Sequence, residues 1–144
     1  MTVKAQASHS DECRPDLEVV TVRPTHSAMT LQRLPYFTGV SAKTSGSTAL
    51  SMNMVVIPAG GAAEPHYHRG YETAIYILKG RVETKYGAGL KRSVINEEGD
   101  FVFIPPGLPH QPVNLSATET ALAIVARNDA GEDVTVVRYD PAEG

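Results

Sequence analysis

Two stretches of this chain decide the fold: residues 60–72, GGAAEPHYHRGYE, and residues 99–114, GDFVFIPPGLPHQPVN. The first carries two histidines at alternate positions, His66 and His68, and the second carries His110 after a turn rich in proline and glycine. Side chains alternate between the two faces of a strand, so His66 and His68 would share one face. A third imidazole from a later strand would complete a facial metal site. The two stretches therefore predict a metal-binding β-barrel.

The sequence around these stretches predicts a series of short strands separated by glycine, proline and polar turns. No long stretch has a helical period with caps. Such a pattern is typical of an all-β sandwich or barrel, and a jelly roll deals with exposed sheet edges at this chain length. The candidate strands are residues 17–23, 48–57, 66–69, 73–78, 81–86, 90–95, 101–104, 110–114, 120–127 and 134–139, while residues 31–39 form either a short strand or a turn.

The chain length of 144 residues fits one domain with its own hydrophobic core. Residues 1–16 are polar and without periodicity, so we expect a flexible N-terminal tail there. We expect the barrel to occupy residues 17–139, with residues 140–144 as a short C-terminal tail.

The charge and the cysteine content exclude several classes of partner. A net charge of −3 argues against a nucleic-acid backbone or an anionic membrane surface. Cys13 is the only cysteine, which rules out an internal disulfide and favours a reducing, cytoplasmic location. The N-terminal region lacks the continuous apolar run of a signal peptide or a membrane span. We therefore expect a small-molecule substrate, with neither nucleic acid nor membrane as a partner.

The two stretches resemble the paired signature of the cupin superfamily, whose fold is a double-stranded β-helix or jelly-roll barrel. The second stretch matches that signature at all of its fixed positions, which are Gly99, Pro105, Gly107, His110 and Asn114. The resemblance implies that His66, His68 and His110 bind one divalent transition metal, which would be Zn, Fe, Ni or Mn, with Zn slightly favoured. It also implies that Asn114 braces either the bend at Pro105 and Gly107 or the adjacent strand. It further implies that the chain forms a homodimer to which the strand at residues 17–23 contributes.

Glu72 is the position where the resemblance weakens. In cupins six residues usually separate the acidic ligand from the glycine that closes the first motif, whereas seven separate Glu72 from Gly80 here. The register counted back from Gly80 places Thr73 on the ligand face instead. Either a bulge swings Glu72 inward, as a fourth metal ligand and catalytic residue, or Glu72 faces elsewhere and three imidazoles bind the metal alone. We take Glu72 as a ligand as the working expectation.

The resemblance leaves the reaction open, because one fold hosts many activities. The chain looks like the small single-domain bacterial cupins, which include the cyclases of aromatic polyketide pathways. Its candidate strands carry few charges, and no arginine or lysine cluster offers a phosphate site. Our leading hypothesis is metal-assisted, aldol-type cyclisation of an aromatic polyketide, with water, Glu72 or a tyrosine relaying the proton. The alternatives are an Fe(II)-dependent dioxygenase and a non-enzymic cupin that binds or senses a small ligand.

Overall fold

The computed structural model describes residues 13–29, 34–131 and 136–143, and this part of the chain is almost entirely β-structure. One short helix, α1 (Ala42–Ser45), and two 3-10 turns, Ala88–Leu90 and Pro141–Glu143, accompany the strands. The strands are β1 (Ala28–Met29), β2 (Pro35–Val40), β3 (Ser51–Ile57), β4 (His66–His68), β5 (Thr73–Lys79), β6 (Arg81–Tyr86), β7 (Arg92–Glu97), β8 (Phe101–Ile104), β9 (His110–Asn114), β10 (Ala121–Arg127) and β11 (Val136–Arg138).

The strands form two antiparallel sheets with a cavity between them. One sheet has the order β1-β2-β3-β10-β5-β8, and the other has the order β11-β4-β9-β6-β7. Strands that are neighbours in a sheet are mostly distant in sequence, and side chains from both sheets line the same cavity. This arrangement is a jelly-roll barrel, so the fold class predicted from the sequence is confirmed.

Alternation along each strand separates the core from the outer surface. In β3 the residues at odd positions are buried, while those at even positions are exposed or half-buried. Val55 lies opposite Tyr36 on one side and Ala123 on the other, and Ala123 lies opposite Ile77. These four buried residues form one row across four strands. Because successive side chains point to opposite faces, the core of the larger sheet consists of such rows.

The outer face of the same sheet carries a second apolar row. Met54 lies opposite Ile124, Ile124 opposite Tyr76, and Tyr76 opposite Phe101. The ring of Phe101 packs 4.8 Å from that of Tyr76, centroid to centroid, yet Phe101 remains 83% exposed. Phe103 on the same strand is also exposed. The outer face therefore presents large apolar side chains at the β8 edge of the sheet.

The strand predicted at residues 17–23 is wrong, since the structure has no strand there. Val19 is 96% exposed, and Leu17 and Val20 are also exposed. A run of β-branched residues favours a strand only where it can pair with a neighbouring strand and pack one face against a core. This segment does neither within the described residues. Its predicted contribution to a dimer loses its basis. The predicted N-terminal tail lies mostly outside the described residues, and the domain bounds stay predictions.

The other strand predictions differ from the structure mainly at their ends. Residues 35–40 form a strand, which resolves the alternative left open for residues 31–39. The strand predicted from residue 48 begins at Ser51, because the Ser47 hydroxyl bonds both the N–H and the carbonyl of Leu50 in a turn. Within the described ranges, no helix is long and apolar enough to cross a membrane.

Asn114 ties together the chain segments at one end of the barrel. It is buried, and its Nδ2 lies 3.0 Å from the carbonyl oxygen of Ile57, 3.2 Å from that of Pro58 and 2.8 Å from that of Glu119. Its Oδ1 accepts a hydrogen bond from the backbone N–H of Ser116 at 2.9 Å. These bonds join the end of β3 to the turn that precedes β10. Asn114 therefore braces the end of β3 and the turn before β10, whereas its hydrogen bonds do not reach the proline–glycine bend.

We predict that Asn114→Ala lowers the free energy of unfolding by about 2–4 kcal/mol, because several buried carbonyls and one N–H lose their partner. Urea denaturation followed by circular dichroism would measure this change. Asn128→Ala is the matched control, since Asn128 is exposed and its side chain receives one hydrogen bond. A loss for Asn114→Ala no larger than that of the control would contradict the bracing role.

Candidate metal centre

The pairing of β4 with β9 brings the three histidines together. His66 lies directly opposite His110 in this antiparallel pair, and His68 follows two residues along β4 on the same face. The ring centroid of His66 is 4.9 Å from that of His68 and 4.3 Å from that of His110. One ligand atom from each ring lies within 4.8 Å of the others. All three side chains are buried.

The proline–glycine turn before β9 fixes the position of His110. Gly107 adopts a φ of +76°, a conformation that glycine accepts without strain. Its N–H donates a hydrogen bond of 2.7 Å to the carbonyl of His68, so the turn is attached to β4 itself. The turn and the strand pairing together hold His110 beside the other two imidazoles.

Each imidazole is oriented by a hydrogen bond at Nδ1. The Nδ1 of His66 lies 2.6 Å from the carbonyl oxygen of Glu64, and that of His110 lies 2.9 Å from the carbonyl oxygen of Leu108. A carbonyl only accepts, so both Nδ1 atoms carry the proton and both Nε2 atoms keep their lone pair. The Nδ1 of His68 lies 2.7 Å from the hydroxyl of Tyr71. Partners of this kind fix the tautomer that a metal-binding histidine needs.

The surroundings also keep the imidazoles neutral. The pKa of His66 is lowered to about 3, and burial is the largest cause. The neighbouring His110 also lowers this pKa, and Arg127 does so to a smaller extent. Burial lowers the pKa of His110 to about 4, although its bond to the Leu108 carbonyl opposes the shift. Burial and then the charge of Arg127 hold the pKa of His68 far below its usual value of 6.5. Neutral imidazole is the form that binds a metal ion.

The structure does not bring Glu72 to the histidines. Its side chain is exposed, and its backbone N–H donates a 2.8 Å hydrogen bond to Oδ1 of Asn128. Thr73 instead occupies the inward position and is 2% exposed. The structure therefore agrees with the alternative in which Glu72 faces away from the histidines. The strand continues its alternation, counted back from Gly80, without a bulge at Glu72. The expectation that Glu72 points into the site is corrected accordingly.

The histidines line a cavity whose walls are otherwise mostly aliphatic. The cavity offers a volume of about 60 Å³ to water-sized molecules. Its apolar walls come from both sheets, with Ile75 and Ile77 on β5 and Val82 on β6 among them. None of the described residues that line it is an aspartate or a glutamate. The mostly apolar lining agrees with the few charges that the candidate strands carry.

Arg127 is the cavity residue that the sequence analysis missed. Its Nη1 donates a 2.6 Å hydrogen bond to the Tyr36 hydroxyl, and its guanidinium carbon lies 5.9 Å from the ring centroids of both Tyr36 and Tyr71. Among the described residues, no carboxylate forms an ion pair with it. Alternation along ALAIVAR, residues 121–127, was the available signal, because it puts Arg127 on the same face as buried Ala123 and Val125.

A two-sheet barrel with three buried histidines defines a class of protein whose site suits a metal ion. Residues 53–126, slightly more than half of the chain, match the family described as the cupin domain. This chain belongs to the cupin family.

Two proteins of similar sequence match only part of this chain. The germin-like protein subfamily T member 3 of Arabidopsis thaliana is 36% identical over 92 residues, which is 60% of this chain and 39% of that protein. An uncharacterized protein of Aquifex aeolicus (strain VF5) is 38% identical over 69 residues, 48% of this chain and 54% of that protein. The matches thus span between about two fifths and one half of these relatives' own length.

One solved structure that matches over most of both chains is that of the polyketide cyclase RemF from Streptomyces resistomycificus. It superposes with a TM-score of 0.63 at 20% identity, over 90% of this chain and 84% of that one. At this identity the likeness shows the fold alone. Because both chains are covered almost throughout, the two proteins share a single barrel of similar size.

We predict that the metal-free protein loses stability in acid. The three histidines stay neutral in the folded chain down to about pH 4 or below, whereas in the unfolded chain they take up protons near pH 6.5. The contribution of the neutral histidines to the free energy of unfolding is therefore complete above pH 6.5. It falls as the pH drops toward the pKa values of the folded protein. Across that window, each histidine would lower the free energy of unfolding by about 1.4 kcal/mol for every pH unit of acidification.

Urea unfolding of metal-free protein at pH 7 and at pH 5 would measure the loss. His66→Gln should lose less stability between the two pH values than the wild type, because one depressed pKa is gone. His26→Ala should lose as much as the wild type, since His26 is exposed. Equal stability of the wild type at both pH values would contradict the prediction.

Proposed function

We propose that this protein is a metal-dependent cupin enzyme that acts on a small, apolar, oxygenated substrate. The observation that carries the proposal is the cluster of three buried imidazoles in a cavity with mostly aliphatic walls, with a lone pair on Nε2 of both His66 and His110. Concave apolar sites with a few convergent polar groups are typical of small-molecule binding. A packed core does not require three clustered imidazoles that can donate nitrogen lone pairs, so the cluster favours a bound metal ion.

His66, His68 and His110 would hold one divalent transition metal through Nε2. Three imidazoles without a carboxylate suit zinc, iron or nickel better than manganese, which favours oxygen ligands. When bound, the metal supplies Lewis-acid polarisation of a substrate oxygen. Glu64, Leu108 and Tyr71 would keep the imidazoles in the required tautomer and orientation. Glu72 has no part in this proposed set, because its side chain faces solvent.

Aldol-type cyclisation of an aromatic polyketide is the specific reaction we propose. A polyketide chain is largely apolar and carries regularly spaced carbonyl oxygens, which matches aliphatic walls around a single polar site. The walls would bind the folded chain and exclude water, so that the carbonyl and the attacking carbon meet in one geometry. The barrel resembles that of the polyketide cyclase RemF in extent, which is consistent with this reaction. With Glu72 outside, the cavity hydroxyls near which a proton could be held are those of Tyr36, Thr73 and Thr84.

An Fe(II)-dependent dioxygenase is the second candidate, because a three-imidazole set leaves several metal positions open for substrate and oxygen. Oxygen uptake distinguishes the two candidates. A zinc-loaded cyclase should convert a linear poly-β-ketone to a ring product without consuming oxygen. Uptake of oxygen by the Fe(II)-loaded protein with catechols or 1,3-diketones would favour the dioxygenase. Recovery of every ligand unchanged would favour a binding or sensor protein.

We predict about one transition-metal ion per chain in protein purified without metal-affinity resin. His110→Ala should retain less than about a tenth of that metal, because two imidazoles cannot hold the ion against buffer. Elemental analysis would measure the metal, and circular dichroism would check that the barrel remains folded. His26→Ala is the control and should keep its metal. A full complement of metal in His110→Ala would contradict the ligand set.

A homodimer and a cytoplasmic location remain predictions. The apolar outer row that ends at Phe101 supports the first, since large exposed apolar patches are typical of interfaces. Sedimentation equilibrium should give twice the chain mass for the wild type and a lower mass for Phe101→Ser. Val94→Ser is the control, because Val94 is an exposed apolar residue on the other sheet. A monomeric wild type would contradict the prediction.

A further inference from the structure

One cross-strand row on the larger sheet contains three buried polar atoms without a protein partner. Arg127 lies directly opposite Ser51 on β3 and directly opposite Thr73 on β5. The Nε of Arg127 and the hydroxyls of Ser51 and Thr73 are all buried and make no hydrogen bond within the described residues. Residues opposite one another in antiparallel strands have Cβ atoms about 5 Å apart, so Ser51 and Thr73 are each an immediate neighbour of Arg127.

Such a row is costly for the folded chain. A buried polar group without a partner destabilises the folded state, and native proteins contain few of them. Replacement by apolar residues of similar shape would remove that cost. A row that combines hydrogen-bond donors with a positive charge therefore indicates a ligand of the opposite charge.

The row lies across the cavity from the histidines. Arg127 and Thr73 line the cavity from the larger sheet, whereas His66, His68 and His110 line it from the smaller sheet. Thr73 is 98% buried, being 2% exposed. A small molecule between the sheets could thus contact both groups at once.

We propose that Arg127 and Thr73 form the recognition site for an anionic group of the substrate, in which two oxygens share one negative charge. Nη1 of Arg127 is held by Tyr36, which leaves the side of the guanidinium that carries Nε to face the anion. The Thr73 hydroxyl supplies a further donor from the opposite strand. The inference rests on the proposed function, in which the three histidines hold the metal beside this site.

The charge balance of the cavity supports the same assignment. The three imidazoles are neutral, and no acidic residue is among the described residues that line the cavity. A divalent ion and Arg127 would together bring three positive charges into an apolar space. Uncompensated buried charge is unfavourable, so an anionic ligand is preferred over a neutral one. The rest of the ligand would be apolar, to match the aliphatic walls.

Two kinds of substrate offer this chemistry: a carboxylate and an enolised 1,3-dicarbonyl. Both are planar and delocalise one charge over two oxygens, which fits the donor geometry of a guanidinium. The two are distinguished by experiment, with benzoate as the carboxylate probe and pentane-2,4-dione as the enolate probe. Benzamide is the neutral counterpart of benzoate, with nearly the same shape.

Isothermal titration calorimetry on the zinc-loaded full chain at pH 7.5 would test the proposal. Benzoate should bind at least about tenfold more tightly than benzamide, because a hydrogen bond to a charged group contributes about 1.5–3 kcal/mol. Arg127→Met should weaken the binding of benzoate or pentane-2,4-dione at least about tenfold and leave benzamide unchanged. Arg127→Lys should retain part of the preference, and it serves as the second variant if Arg127→Met does not fold. The probe whose affinity depends on Arg127 identifies the anion.

The chain offers a matched pair for the threonine. Thr73→Val should weaken the same probe by about threefold to tenfold. Ser51→Ala removes the other unpartnered hydroxyl of the row, but Ser51 is not among the residues that line the cavity, so this variant should bind like the wild type. Equal effects of the two substitutions would overturn the role of Thr73.

Metal content, measured on every sample, separates the two proposals. A fully metal-loaded protein in which neither probe depends on Arg127 would overturn the anion site and leave the proposed function standing. A wild type that takes up no metal would overturn the proposed function. The Arg127 comparison would then be made on the metal-free protein, where an unchanged affinity of both probes would overturn the anion site as well.

Discussion

The antiparallel pairing of β4 with β9 is the constraint on which the site depends. These two strands are distant in sequence and short, yet their register sets His66 directly opposite His110. Because strand side chains alternate, the same register places His68 on the same face. A shift by one residue would turn the histidines of one strand away from the cavity. The hydrogen bond from the Gly107 N–H to the His68 carbonyl attaches the turn before β9 to β4 and supports this register.

The two sheets of the barrel contribute different chemistry to one cavity. The smaller sheet supplies neutral imidazoles, whose neutrality follows from burial more than from any single neighbour. The larger sheet supplies a cation and hydroxyls, held by the pairing of β10 with β5 and β3. The aliphatic side chains between them keep the dielectric low, which strengthens both metal binding and anion recognition. A substrate that spans the gap would be fixed at two points.

Local sequence patterns predicted the parts of the site that depend on spacing within one stretch. The His-x-His pair, the proline–glycine turn and Asn114 belong to this group. Counting from Gly80 also indicated Thr73 as the inward residue, although the working expectation took Glu72 as the ligand and was wrong. Alternation along β10 indicated that Arg127 faces inward, but its position beside Ser51 and Thr73 depends on which strands flank β10. That long-range information is not contained in a single sequence. The strand predicted at residues 17–23 failed for the related reason that β-propensity does not provide a pairing partner.

The most direct test of the account is a crystal structure of the zinc-loaded protein, with the ion located by its anomalous scattering. The account predicts one ion about 2.0–2.1 Å from Nε2 of each of His66, His68 and His110, with the exposed carboxylate of Glu72 remote from it. An ion bound elsewhere, or three rings that keep their hydrogen bonds with no ion between them at saturating zinc, would contradict the account.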